Sequence, residues 1–193
     1  MKYYNKNQFL KKIIYKFARK RAEILYLSLE EFLKKEEIIL DVGCGSCNVL
    51  EILEERDFNV VALDIKNTSI VEGITPVVYD GKKMPFADNT FELSMILTVL
   101  HHTNHQKELI KEVMRVTKNR IIILEDIYTN RIDKLITKFV DGLINLELNG
   151  INSNRKDSEW RILFNNLGLK ILNVRFLNKY LVFKPVIYEL EIK

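Results

Sequence analysis

Residues 39–48 read Ile39-Leu40-Asp41-Val42-Gly43-Cys44-Gly45-Ser46-Cys47-Asn48, and this stretch decides the fold. An apolar run carries one acid and ends at two glycines a residue apart. From Asn48 to Glu55, Val49, Leu50, Ile52 and Leu53 recur at helical spacing. The order is therefore strand, glycine turn, helix. Glycine in such a turn admits positive φ and lets the backbone come close to a ligand. The same letters also hold Cys44-x-x-Cys47, the spacing of a redox pair, so two chemistries compete for ten residues.

Working outward, a helix is expected over 8–35. Phe9, Leu10, Ile13, Ile14 and Phe17 form its apolar face, with Lys11, Lys12, Lys16, Arg19 and Lys20 between them. Strands are expected at 38–42 and 59–63, both buried, at 75–79, a short one, and at 91–97 and 121–124, and helices at 106–116, 131–148 and 155–167. Two more alternating strands, 170–177 and 186–192, leave little room for a helix between them. Apolar strands alternating with amphipathic helices indicate a parallel sheet covered on both faces. The expected fold is α/β and Rossmann-like: a seven-stranded, mostly parallel sheet with an antiparallel C-terminal hairpin. One domain over 1–193 is expected, with a helical lid at 1–36, a core at 37–127 and substrate-side helices and closing strands at 128–193.

Composition narrows the function. Of 193 residues, 47% are hydrophobic and 29% charged, which is globular rather than disordered. Residues 1–37 hold ten Lys/Arg and five Asp/Glu, a net of +5 against +4 for the whole chain, so the remainder carries −1. A basic head on a neutral body is not the broad basic face of a nucleic-acid binder. No apolar run reaches bilayer length, no apolar signal core opens the chain, and two cysteines make no disulfide framework, so a cytoplasmic location is expected.

Asp64 ends the second strand about 20 residues after the glycine turn, where an acid can accept both hydroxyls of a ribose. A glycine turn with such an acid points to an adenosine-containing ligand. A dinucleotide loop would want a third glycine, but Cys47-Asn48 follow, and Asp41 opposes a phosphate neighbour. The loop suits a ligand with a cationic or zwitterionic group.

This combination resembles motif I of the class I S-adenosylmethionine (SAM) dependent methyltransferases. Asp80-Gly81 and Met84-Pro85-Phe86-Ala87-Asp88-Asn89-Thr90-Phe91-Glu92 resemble the family's next segment. Leu97-Thr98-Val99-Leu100-His101-His102 resembles the end of its fourth strand, and Glu112-Val113-Met114-Arg115-Val116-Thr117-Lys118 a following helix end. The match runs over about 36–127 and is nearest the type 11 subgroup. The resemblance implies SAM as cofactor. It implies that Asp41, Gly43, Cys44 and Gly45 shape the loop under the methionine part and that Asp64, followed by Ile65, holds the ribose. Asp80, with Gly81 and Met84, would meet the adenine, and the Leu97 carbonyl would accept from the methionine ammonium. Two departures stand out: Cys47 replaces a glycine and Glu92 an aspartate.

The chemistry expected is methyl transfer to an O, N or C nucleophile of a small or lipid-like molecule. In-line displacement from a sulfonium needs chiefly positioning. His101 or His102 is the candidate base for a nucleophile that must lose a proton. Alternatives remain: redox catalysis at Cys44/Cys47, a nicotinamide-dependent oxidoreductase, and a non-catalytic binding module using the basic N-terminal helix. No metal is expected, since two cysteines lack a second ligand pair. Peripheral membrane contact through residues 8–21 is possible for a helix with basic residues flanking Phe and Ile, and no obligatory protein partner is expected.

Overall fold

A computed structural model describes residues 2–129, 153–178 and 183–193. The expected helix at 131–148 lies outside them. The elements are α1 (Lys2–Leu29), β1 (Ile38–Val42), α2 (Asn48–Glu54), β2 (Asn59–Asp64), β3 (Val77–Val78), β4 (Phe91–Leu97), α3 (Gln106–Val116), β5 (Thr117–Asp126), α4 (Asp157–Asn166), β6 (Lys170–Phe176) and β7 (Pro185–Glu191). The strands form a seven-stranded sheet in the order β3-β2-β1-β4-β5-β7-β6. Two compact units divide the chain at 1–79 and 80–193.

In the first unit β1 and β2 run parallel, from Ile38 opposite Asn59 to Val42 opposite Leu63. β3 adds two parallel pairs, Leu63 with Val77 and Asp64 with Val78. The expected third strand was longer; Pro76, which has no N–H to donate, precedes the paired residues. In the second unit β4 and β5 are parallel, and β7 pairs antiparallel with both β5 and β6, which is the expected closing hairpin. β5 starts at Thr117 rather than Ile121, because α3 ends directly into it. Trp160, Phe164 and Tyr188 are fully buried against one another, with ring centroids 5.8 and 5.1 Å apart along the series. The Tyr188 hydroxyl donates to Asp157 Oδ1 at 2.8 Å, which satisfies the polar end of a buried ring.

α1 corrects the sequence reading of its own face. Ile14 is 49% exposed and Phe17 73%, so the expected apolar stripe is not the buried one. The helix instead packs on α2 and the turn after it through Tyr15, Arg19, Glu23 and Tyr26, and Ala22 on the same helix is buried. Tyr15 donates to Glu51 at 2.6 Å. Arg19 reaches Glu51 at 3.0 Å and forks onto Glu55. Glu23 takes Arg56 at 3.1 Å, and the Arg56 guanidinium lies 4.3 Å over the Tyr26 ring. These charge and stacking partners on α2 and just beyond it set the rotation of α1, and a periodicity count of apolar residues is blind to them. The helix also stops earlier than expected, giving way to a single 3-10 turn at Glu30–Phe32.

Truncating Tyr26 to Ala should therefore cost about 3 kcal/mol in urea unfolding, while Phe17→Ala should stay within about 0.5 kcal/mol. Equal costs would restore the stripe read from the sequence.

Candidate functional site

The first unit brings together Asp41, Gly43, Cys44, Gly45, Asp64 and Ile65 at the carboxyl ends of β1 and β2. The chain leaves β1 through Gly43 at φ 75 and Gly45 at φ 53, both in the left-handed region that favours glycine. The Gly43 and Cys44 amides donate to the Leu63 carbonyl at 2.7 and 3.2 Å, so the loop is tied to the end of β2. Asp64 completes the tie: Oδ2 accepts the Gly45 N–H at 2.8 Å and Oδ1 the Ile65 N–H at 2.7 Å. Cys47 sits at φ 61, ψ 11 and is fully buried. A side chain there costs about 1 kcal/mol that glycine escapes.

Asp41 is buried, and its pKa is pushed up to about 7, first by burial and then by the charge of Asp64. Cys44 Sγ and Cys47 Sγ lie 3.3 Å apart. Their contact lowers the pKa of the Cys47 thiol and raises that of Cys44, the raise being reinforced by burial.

The second unit holds the remaining candidates. Exposed Asp80 accepts the Lys82 and Lys83 amides at 2.9 and 3.2 Å, and those bonds hold its carboxyl below the usual range. The Met84-Pro85-Phe86 stretch is clasped from α3. The Met84 amide donates to Glu112 at 2.8 Å, while Arg115 donates to the carbonyls of Met84 at 3.1 Å and Phe86 at 2.9 Å and to Asp88 at 2.7 Å. The Glu112-x-x-Arg115 spacing thus builds a loop clamp on one helix face.

β4 ends at Leu97, and Thr98 follows at φ 58, a left-handed conformation unusual for a β-branched residue. The next turn carries His101, buried, and His102, exposed. The two rings lie side by side, with centroids 4.0 Å apart. Buried Glu125, at the end of β5, accepts the Leu100 amide at 2.6 Å through Oε1, and its Oε2 lies 2.7 Å from His101 Nδ1. That bond fixes the orientation of the His101 ring against the carboxylate. Gln106 donates to the Leu100 carbonyl and to Ser153 Oγ at 2.9 and 2.8 Å, and Ser153 donates to the Thr103 carbonyl at 2.7 Å. Sequence reasoning missed Gln106, Ser153 and Thr98. Periodicity labels Gln106 a helix start, and nothing local marks a residue at 153 as a partner of the turn at 100–103.

Residues 40–123 match the methyltransferase-domain family of type 11. A protein of Methanocaldococcus jannaschii is 35% identical over 92 residues, 45% of this chain and 39% of that protein. A demethylmenaquinone methyltransferase of Renibacterium salmoninarum is 30% identical over 95 residues, 45% of this chain and 40% of its own length. The chain thus spans about two fifths of these curated relatives. The crystal structure of a SAM-dependent methyltransferase from Archaeoglobus fulgidus superposes with a TM-score of 0.69 at 16% identity, covering 89% of this chain and 94% of that one. The superposition shows the same fold, and the family match covers the residues from β1 into β5. Among the described residues nothing lies within 4 Å of a Cβ built on Gly45, so the backbone there is open to close approach.

A carboxyl whose pKa is raised by folding binds protons in the folded state that it has lost in the unfolded one. Between its ordinary 3.8 and about 7, Asp41 thus makes stability fall as pH rises. Asp41→Asn should remove that part of the slope in urea unfolding at pH 5 to 8. The gain relative to wild type should grow with pH, up to a ceiling of about 4 kcal/mol at 1.36 kcal/mol per pKa unit.

Proposed function

We propose that this chain transfers the methyl group of S-adenosylmethionine to an O, N or C nucleophile of a small or lipid-like molecule. The observation that carries the reading is the Gly43–Gly45 loop tied through Gly45 to Asp64. The relative acting on demethylmenaquinone supports an apolar acceptor.

In this reading Asp64 holds the ribose hydroxyls with the lone pairs its two amide bonds leave over. Gly43, Cys44 and Gly45 pass beneath the methionine part, and Asp41 supplies negative charge behind them. Ile65 borders the ribose side, Asp80 with Gly81 and Met84 takes the adenine, and the Leu97 carbonyl takes the ammonium. The cofactor, when bound, supplies an activated methyl on a positive sulfur with a neutral leaving group. Its positive charge favours ionised Asp41, so affinity rises with pH through about 7. His101 Nε2 accepts the proton of a hydroxyl or ammonium nucleophile, Glu125 orients the ring and stabilises its charged form, and His102 is the second candidate base.

A ligand at 100 times its Kd adds roughly 2.7 kcal/mol, or about 5–10 °C in melting temperature for a chain of this size. SAM and S-adenosylhomocysteine should give that shift and NAD should give none. Asp64→Ala should weaken binding more than about tenfold, since it removes both the ribose acceptor and the loop tie. Stabilisation by NAD, or none by either sulfur ligand, rejects the reading.

A second reading rests on α1. Ile14, Phe17, Ile24 and Leu27 are all exposed, and Lys11, Lys12, Lys16 and Lys20 on the same helix are exposed as well. A half-apolar, basic helix suits an anionic lipid surface, by which a lipid-like acceptor is also reached. No described helix is long and apolar enough to cross a membrane. The chain should sediment with vesicles containing phosphatidylglycerol but not with pure phosphatidylcholine, and Phe17→Glu with Ile24→Glu should abolish this. Unchanged sedimentation of the double variant removes α1 as the contact.

A further inference from the structure

We propose that Cys44 and Cys47 form a reversible disulfide site built into the glycine loop. Both cysteines are free thiols, with sulfurs 3.3 Å apart. A disulfide needs about 2.05 Å, so closure asks for a movement of only about 1.2 Å. The backbone already holds the two residues together, because the Cys47 amide donates to the Cys44 carbonyl at 3.0 Å. Cys47 is fully buried, but Cys44 is only half-buried, so the pair has an edge toward solvent.

Packing alone does not account for the pair. The sulfur of Cys47 fills space beside Leu50 and Ala62, with Cys44, Val60 and Val71 around them. Yet it does so at φ 61, where glycine is free of strain. Metal binding does not account for it either: among the described residues no group of three His, Cys, Asp or Glu could hold an ion.

The oxidant is hydrogen peroxide, small enough to enter the loop. One sulfur, as its thiolate, attacks the outer oxygen; the O–O bond breaks, and the departing hydroxide takes up the thiol proton to leave as water. The sulfenic acid so formed is attacked by the second sulfur, the S–S bond forms, and a second water leaves. Two thiols lose two electrons and two protons, and one peroxide becomes two waters. A dithiol reverses the step by exchange.

The consequence falls on Gly45, which lies between the two cysteines. Its N–H is held by Asp64 at 2.8 Å and its carbonyl accepts from Thr68 Oγ1 at 3.0 Å. Drawing the sulfurs together shifts a backbone with anchors on both sides. Oxidation therefore weakens cofactor binding, and by linkage the bound cofactor opposes oxidation by the same factor. This consequence rests on the methyltransferase reading; the disulfide itself does not.

The test treats the full chain with hydrogen peroxide and reads intact mass and free thiols. The expected result is the loss of two hydrogen masses and both thiols, restored by dithiothreitol and absent in Cys44→Ser and in Cys47→Ser. Thiols that persist, or oxygen additions mapped by peptide to Cys44 or Cys47 in place of the cross-link, overturn the site. Calorimetry with S-adenosylhomocysteine on the reduced and oxidised forms then reads the coupling, expected to be at least about fivefold weaker when oxidised. Equal affinities overturn the coupling. Failure of the reduced form to bind rejects the cofactor reading while the thiol result stands on its own.

Discussion

The hydrogen bonds from the Gly45 and Ile65 amides to the Asp64 carboxylate are the constraint on which the first unit turns. One side chain at the end of β2 fixes the exit of β1 and its own following turn. Without it, two glycines in sequence would leave the loop with conformational freedom costly to order each time a ligand arrives. The geometry concentrates negative charge as a side effect. Asp41 sits buried behind Asp64, and its proton affinity rises because neither solvent nor a cation relieves it. Two carboxyls set this close, one of them buried, favour a positive charge beside them.

The second unit solves a similar ordering problem with Glu125 in place of Asp64. That carboxylate sits under the turn after β4, holding the Leu100 amide and the His101 ring together. Gln106 and Ser153 add bonds to the carbonyls of the same turn. In both units, then, a strand-end acid converts a loop of adjustable backbone into a fixed surface. The same logic explains why Arg115, on α3, spends its donors on loop carbonyls as well as on Glu112 and Asp88.

Much of this was legible from sequence because it is local. β1, β4 and α3 fall where the apolar spacing puts them, since buried parallel strands and an amphipathic helix write their own periods. The glycine turn and Asp64 could be read because positive φ and a strand-end acid are residue-type requirements. The face of α1 could not be, because Arg19, Glu23 and Tyr26 are placed by partners on or just beyond α2, 30 to 36 residues along the chain. Glu125 is visible in the sequence only as an acid at the end of a strand. Its burial beneath a turn 25 residues earlier is a tertiary fact. The strain at Thr98 and Cys47 is likewise a backbone property with no signature in composition.

The buried aromatic stack of the second unit gives the molecule an optical asymmetry. Trp160 is the only tryptophan in the chain; it is fully buried, stacked on Phe164, and has the Arg155 guanidinium 5.5 Å from its ring. Its emission therefore follows residues 80–193 and is nearly silent about 1–79, whereas far-ultraviolet dichroism, dominated by helices, weighs α1 heavily. Denaturation curves from these two signals sample different units of one chain, so the gap between them is a direct reading of how cooperatively the two are joined.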